Sequence, residues 1–264
     1  REIFTEARNK NNNLSDINSL NQNQHIAHGL AWYATYVESL LQLSKWIEYL
    51  EENNRLTDLE VGIAGVGAGE YCLQIMHGIP MSQNETIRPE ELGIPNEKIE
   101  EFKKITKSLT QRSTSFEKNR VMSILQQSIE SGIQPDDGLD ETYQEIKNQF
   151  KRFVNDEITP HAHEWHMNDD YIPLEIIKKM SELGVFGLTI PEEYGGLGLE
   201  KKAMCIVSEE LSRGWVGVGS LGTRSEIAAE LILIGGTEEQ KQKYLSKISS
   251  GEIFPTAVFS EPDI

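Results

Sequence analysis

Polar and apolar positions in this chain alternate in helical rhythm over most of its length. From about Ser19 to Asn53, apolar side chains return at Trp32, Tyr36, Leu40, Leu43, Ile47 and Leu50. Steps of three and four residues line one face of a long helix. Thr57 followed by Glu60 is a capping box, in which side chain and backbone exchange hydrogen bonds at a helix start. Gly78 and Pro80 close the helix it opens. Weaker amphipathic stretches predict helices at roughly 96–112 and 114–131. The periodicity then breaks over Ser131-Gly132-Ile133-Gln134-Pro135-Asp136-Asp137-Gly138, which reads as a boundary. Beyond it, Tyr143, Ile146, Phe150 and Phe153 mark a helix over 140–158, which Pro160 is expected to end. Another helix spans about 173–183 and stops at Gly184. Three more follow the Tyr194-Gly195-Gly196 turn, at 201–212, 216–234 and 238–249, the last opened by the capping box Thr237 and Gln240. Phe254 to Ser260 reads as a strand.

Composition narrows the class. Hydrophobic content of 38% with four Trp is enough for a core, and no run has the length of a membrane span. The first eight residues lack the apolar stretch of a signal peptide. A net charge of −17 argues against a nucleic-acid surface, which needs clustered Lys and Arg. Cys72 and Cys205 each lie in an apolar helical pattern. They are expected to be core thiols of a reducing compartment, which points to the cytoplasm.

Four groups of residues could carry chemistry. Gly62, Gly65, Gly67 and Gly69 echo a dinucleotide-binding loop, but a capped helix start precedes them where that loop needs a strand. They predict close helix packing, at a cost of about 1 kcal/mol of helix propensity per Gly. His163 and His166 are one residue short of the i, i+4 metal spacing, and Pro160 and Asn168-Asp169-Asp170 place the stretch at a helix end. His25 and His28 share a helix face without a third ligand in view. Arg224 interrupts a run of small and apolar residues and has two readings. It is an exposed cation paired with Glu226 or a neighbouring acid, or it is a planar fork for a carboxylate.

Three segments in register carry a resemblance: Pro191-Glu-Glu-Tyr194-Gly195-Gly196-Leu-Gly198, then Thr237-Glu-Glu-Gln240, then Phe259-Ser260-Glu261-Pro262. In that order they resemble the N-terminal half of the acyl-CoA dehydrogenases, with Ser260 standing where the family has Thr. The resemblance implies a mainly α fold: a helical N-terminal extension over 1–135, the family's helical domain over 136–252, and the first strand of a missing β-domain over 253–264. The chain then reads as an N-terminal fragment, inactive alone. The extension, with Gln24-His25-Ile-Ala-His28-Gly29 and Gly78-Ile-Pro80-Met-Ser-Gln83, looks like that of the methylsuccinyl-CoA dehydrogenase branch.

The resemblance further implies FAD as cofactor, contacted by Val258, Phe259 and Ser260. It implies an acyl-CoA substrate, oxidised by α-proton abstraction and β-hydride transfer, with the base beyond Ile264. Because the helix carrying Arg224 borders the acyl pocket in the family, Thr223, Arg224 and Ser225 become substrate-binding candidates. Electron-transfer flavoprotein and further copies of the full-length chain are the implied partners, with no nucleic acid and no membrane span. A same-fold oxidase or monooxygenase, a catalytically silent scaffold, and an extension that serves only as an interaction module remain alternatives.

Overall fold

The computed structural model describes residues 1–15 and 17–256. Two compact units divide the chain, Arg1–Gly138 and Leu139–Ile264. In the first, short helices α1 (Glu2–Lys10) and α2 (Ile17–Gln22) lead into the 29-residue α3 (Gln24–Glu52) and the 20-residue α4 (Asp58–His77). The Thr57–Glu60 capping box starts α4, and Gly78 ends it at φ 127°, a conformation open to glycine. The core between α3 and α4 is partly polar. The buried Tyr33 hydroxyl donates to the Ile75 carbonyl at 2.7 Å, and the Tyr36 and Tyr71 rings stack at 4.3 Å. Both buried phenols thus keep an apolar body inside with the polar tip satisfied.

A two-residue antiparallel pair, β1 (Ile79–Pro80) and β2 (Thr86–Ile87), interrupts the extension that its periodicity made wholly helical. Two residues are too few for alternation to register. Ile79 and Ile87 are both fully buried beneath α3. The stretch at 96–112 divides into α5 (Asn96–Ile105) and α6 (Lys107–Thr110) at Thr106, whose amide and hydroxyl both donate to the Phe102 carbonyl. Helix α7 (Ser115–Glu130) follows, capped by Thr114. The glycines of α4 do serve packing. A Cβ on Gly62 would lie 2.8 Å from Val121 Cγ2, and one on Gly69 would lie 2.5 Å from the Leu109 carbonyl oxygen.

One polar cluster closes this unit. Arg55 grips Asp136 with two nitrogens, Nε at 2.7 Å and Nη2 at 2.5 Å. The Asp136 amide donates to Glu60 Oε1 at 2.9 Å, the Trp46 indole donates to the Asp136 carbonyl at 3.1 Å, and the Gly138 amide donates to Asp136 Oδ1 at 2.9 Å. Glu60 is buried, yet each oxygen has donors. Burial alone would push both carboxyls up. The hydrogen bonds from Arg55 and Gly138 outweigh it at Asp136, and those from Thr57 and the Asp136 amide outweigh it at Glu60, so both titrate below the usual carboxylate range.

The second unit holds α8 (Glu141–Phe153), α9 (Thr159–Met167), α10 (Leu174–Glu182), α11 (Lys201–Gly214), α12 (Val216–Gly235) and α13 (Glu238–Ser249). Phe150, Val154, Ile158, Met180, Val207 and Leu211 fill its main core. Pro160 does not end the helical run. A π-turn at Val154–Ile158 lets the Thr159 amide reach back to the Val154 carbonyl, and Pro160 then sits in the first turn of α9, where its missing N–H costs nothing. His161 and His163 therefore lie within α9, while His166 stands in its last turn, next to the end at Met167. Cys72 is a core thiol at 2% exposure, but Cys205 is exposed, on the outer side of α11. Its neighbours Met204 and Ile206 take the buried positions, so the local apolar pattern did not reveal which side the thiol occupies.

Replacing Arg55 with Ala should lower the stability of the first unit by roughly 1.5–3 kcal/mol, the range for a charge-assisted hydrogen bond. Because Glu60 and Asp136 have depressed folded values, their contribution is complete above the unfolded carboxylate range near pH 4 and is lost as pH falls through the folded values. Acid titration followed by circular dichroism should show a steeper loss below about pH 4 in the parent than in Asp136→Asn.

Candidate functional site

The apolar run 187–190 ends at Pro191, and the chain doubles back through a turn. Gly195 and Gly198 adopt φ of 79° and 60°. The amides of Leu197, Gly198 and Leu199 donate to the carbonyls of Gly187, Ile190 and Leu188 at 2.8–2.9 Å. Gly196 is needed for a different reason than Gly195. An added Cβ there would overlap the Ile190 carbonyl, lying 2.5 Å from its carbon, whereas Gly195 has open space around it. The turn also seats α13. The Ser249 hydroxyl donates to the Gly195 carbonyl at 2.7 Å, and the Tyr194 hydroxyl donates to Glu238 at 3.2 Å. Past α13, the Ser181 hydroxyl donates to the Ser250 carbonyl at 2.5 Å, and Phe254 meets Phe186 edge-on at 5.1 Å. The approach to the flavin-contacting candidates is thereby anchored; Val258, Phe259 and Ser260 themselves lie outside the described residues.

Helix α12 carries the substrate candidates. Val218, Gly219, Gly222, Ser225 and Ala229 form its buried face. Gly219 permits close approach, since a Cβ there would lie 2.9 Å from the Ser212 amide nitrogen. The three adjacent candidates consequently separate. Ser225 is buried at 2% exposure, Thr223 is half-buried with its hydroxyl donating to the Ser220 carbonyl at 3.0 Å, and Arg224 is exposed. Arg224 lines a hollow of about 530 Å³ with Tyr171, Leu174, Trp215, Ser220 and Leu221. The Trp215 ring lies 5.6 Å from that of Trp165, tilted by 38°, and Trp165 in turn lies 5.3 Å from His161.

The pairing expected for Arg224 is made by another residue. Glu226 accepts from Lys201 at 2.8 Å, and Glu230 shares the same ammonium. Among the described residues no ion pair involves Arg224. Asp170 lines the same hollow without an ion pair to Arg224, so the guanidinium keeps donors that can receive a carboxylate, whereas Thr223 is bound to its own helix and Ser225 faces the core. The sequence pointed to α12 but not to the opposite wall of the hollow. Tyr171 and Leu174 reach it from 50 residues upstream, and no local pattern carries such a pairing. Among the described residues no group of three or more His, Cys, Asp or Glu is arranged to hold a metal ion, and no helix is long and apolar enough to cross a membrane.

Residues 140–252 match the family model described as "Acyl-CoA dehydrogenase, N-terminal domain". The chain is 49% identical over 249 residues to (2S)-methylsuccinyl-CoA dehydrogenase of Cereibacter sphaeroides, a match covering 93% of this chain and 44% of that protein. It is 39% identical over 127 residues to mitochondrial isovaleryl-CoA dehydrogenase of Solanum tuberosum, covering 47% of this chain and 31% of that one. A solved glutaryl-CoA dehydrogenase from Mycobacterium smegmatis in complex with FADH2 is similar at 26% identity and a TM-score of 0.41, over 44% of this chain and 30% of that one. The chain thus spans less than half the length of these curated relatives.

The two glycines of the turn should respond differently to substitution. Gly195→Ala incurs only the left-handed backbone penalty of about 1–2 kcal/mol. Gly196→Ala must displace the Ile190 carbonyl and should destabilise the second unit more, by upward of ~2 kcal/mol. Urea midpoints of the two variants measure the order.

Proposed function

We propose, from the match of residues 140–252 to the acyl-CoA dehydrogenase N-terminal domain, that the chain is the N-terminal part of a flavin-dependent dehydrogenase oxidising (2S)-methylsuccinyl-CoA to mesaconyl-CoA. The observation that carries this reading is the reach of the similarity. The isovaleryl-CoA relative aligns with about half of the chain, whereas the methylsuccinyl-CoA relative aligns with 249 residues, which must include most of Arg1–Gly138.

The substrate's chemistry suits Arg224. A methylsuccinyl group has a second carboxylate at the far end from its thioester, and an exposed guanidinium beside an apolar hollow offers two parallel donors to it. Arg224 orients the acyl group, and Trp215 and Leu221 exclude water around it. The α-proton is removed by a carboxylate base in the part of the protein beyond Ile264. FAD, when bound, supplies the hydride acceptor, with Val258, Phe259 and Ser260 as the contacts contributed from this chain. Electron-transfer flavoprotein is the proposed electron acceptor and the cytoplasm the proposed compartment.

In the full-length enzyme, Arg224→Met should lower kcat/KM for (2S)-methylsuccinyl-CoA by about one to two decades, the equivalent of one lost charge-assisted bond. Isovaleryl-CoA, which has no distal carboxylate, should lose far less. Rates with an artificial electron acceptor decide it, and equal losses on both substrates would remove Arg224 from the site. Ser260→Ala should lower the flavin content of the purified full-length enzyme; unchanged content together with an unchanged flavin potential would remove Ser260 from the cofactor contacts.

A further inference from the structure

The hollow beside Arg224 carries a second charge. Asp170 lines it with Tyr171 and Leu174, just past the end of α9. Backbone geometry sets its place there. Asp169 takes φ of 58°, in the left-handed region that few side chains adopt and that Asp visits more readily than most. The Asp169 amide then donates to the His166 carbonyl at 3.2 Å, and the Asp170 amide to the Trp165 carbonyl at 2.9 Å. The turn after α9 thus holds Asp170 through its main chain and leaves its carboxylate uncommitted.

Arg224 is uncommitted as well. Among the described residues neither side chain makes an ion pair or a hydrogen bond, whereas elsewhere in this unit Lys179 pairs with Glu157 at 2.6 Å and Lys241 with Glu238 at 2.8 Å. Asp170 and Arg224 are both exposed and stand beyond ion-pair distance of each other. Ile172, Ile177, Trp215 and Leu221 wall the hollow with apolar surface, where opposite charges attract more strongly than in open water. A guanidinium has five donors on a flexible stem, so Arg224 can turn either to Asp170 or to a carboxylate that enters the hollow.

We propose that Asp170 is an internal competitor for Arg224, which sets how tightly the site takes a carboxylate; this rests on the reading of Arg224 as the fork for the substrate's distal carboxylate. Asp170 draws the guanidinium until that carboxylate displaces it. A free acid, with no other contact to offer, is turned away, while an acyl-CoA binds through the rest of its length and completes the exchange. An uncharged acyl group has nothing to exchange.

Asp170→Asn removes the charge and keeps both the shape and the main-chain bonds of the turn. In the full-length enzyme it should lower KM for (2S)-methylsuccinyl-CoA by about two- to fivefold, the equivalent of one exposed ion pair, with kcat steady. Succinate should become a stronger competitive inhibitor by a like factor, and KM for isovaleryl-CoA should move far less. In an Arg224→Met background the same substitution should leave KM for methylsuccinyl-CoA unchanged. A KM that stays or rises, an equal fall for isovaleryl-CoA, unaltered inhibition by succinate, or a fall that persists without Arg224 overturns the proposal. The two readings fail separately: equal losses on both substrates in Arg224→Met strike the fork itself, whereas a selective Arg224→Met beside an inert Asp170→Asn strikes only the competitor.

Discussion

The first unit depends on a carboxylate that cannot be solvated by water. Glu60 is buried at the start of α4, and a charge in that position is tolerable only if fixed donors replace its hydration. Thr57 supplies part of the set from the preceding residue's side, and the Asp136 amide supplies the rest from 76 positions away. That second donor is in place only because Arg55, Trp46 and Gly138 hold Asp136 still. Helix start, interhelix loop and the end of the unit are therefore one cooperative object, since removing any member leaves a charge or an amide unpaired inside.

Much of this fold was written in local pattern. Both capping boxes form, α12 and α13 run where the periodicity puts them, and the glycines of α4 meet close neighbours. What the pattern missed has two physical sources. Some features are too short for periodicity: the two-residue strands at Ile79 and Thr86, the break at Thr106, and the π-turn that carries a helix through Pro160. Others are pairings across long sequence separations. Asp136 with Arg55, and Tyr171 with Arg224, come together only once the helices pack.

The candidate site illustrates how a helix sorts neighbours. Thr223, Arg224 and Ser225 looked equivalent in sequence, but successive residues point about 100° apart. One therefore bonds its own backbone, one faces the core, and one stands at the hollow. That Arg224 lacks an ion pair within its own helix was likewise not readable, because it follows from Lys201 taking Glu226 and Glu230. Electrostatic availability is a property of the whole neighbourhood rather than of the residue.

The widened turn at 154–158 restricts how related chains can vary in length. A π-turn is one extra residue inside a helix, and its removal would rotate everything that follows by about 100°. Trp165 would swing off Trp215, and Ile158 would leave the core that it fills. A homologue lacking one residue there must either abandon the Trp165–Trp215 contact or restore the register before Trp165. In families descended from such a chain, gaps should be common in the loop after Met167 and scarce between Phe153 and Trp165.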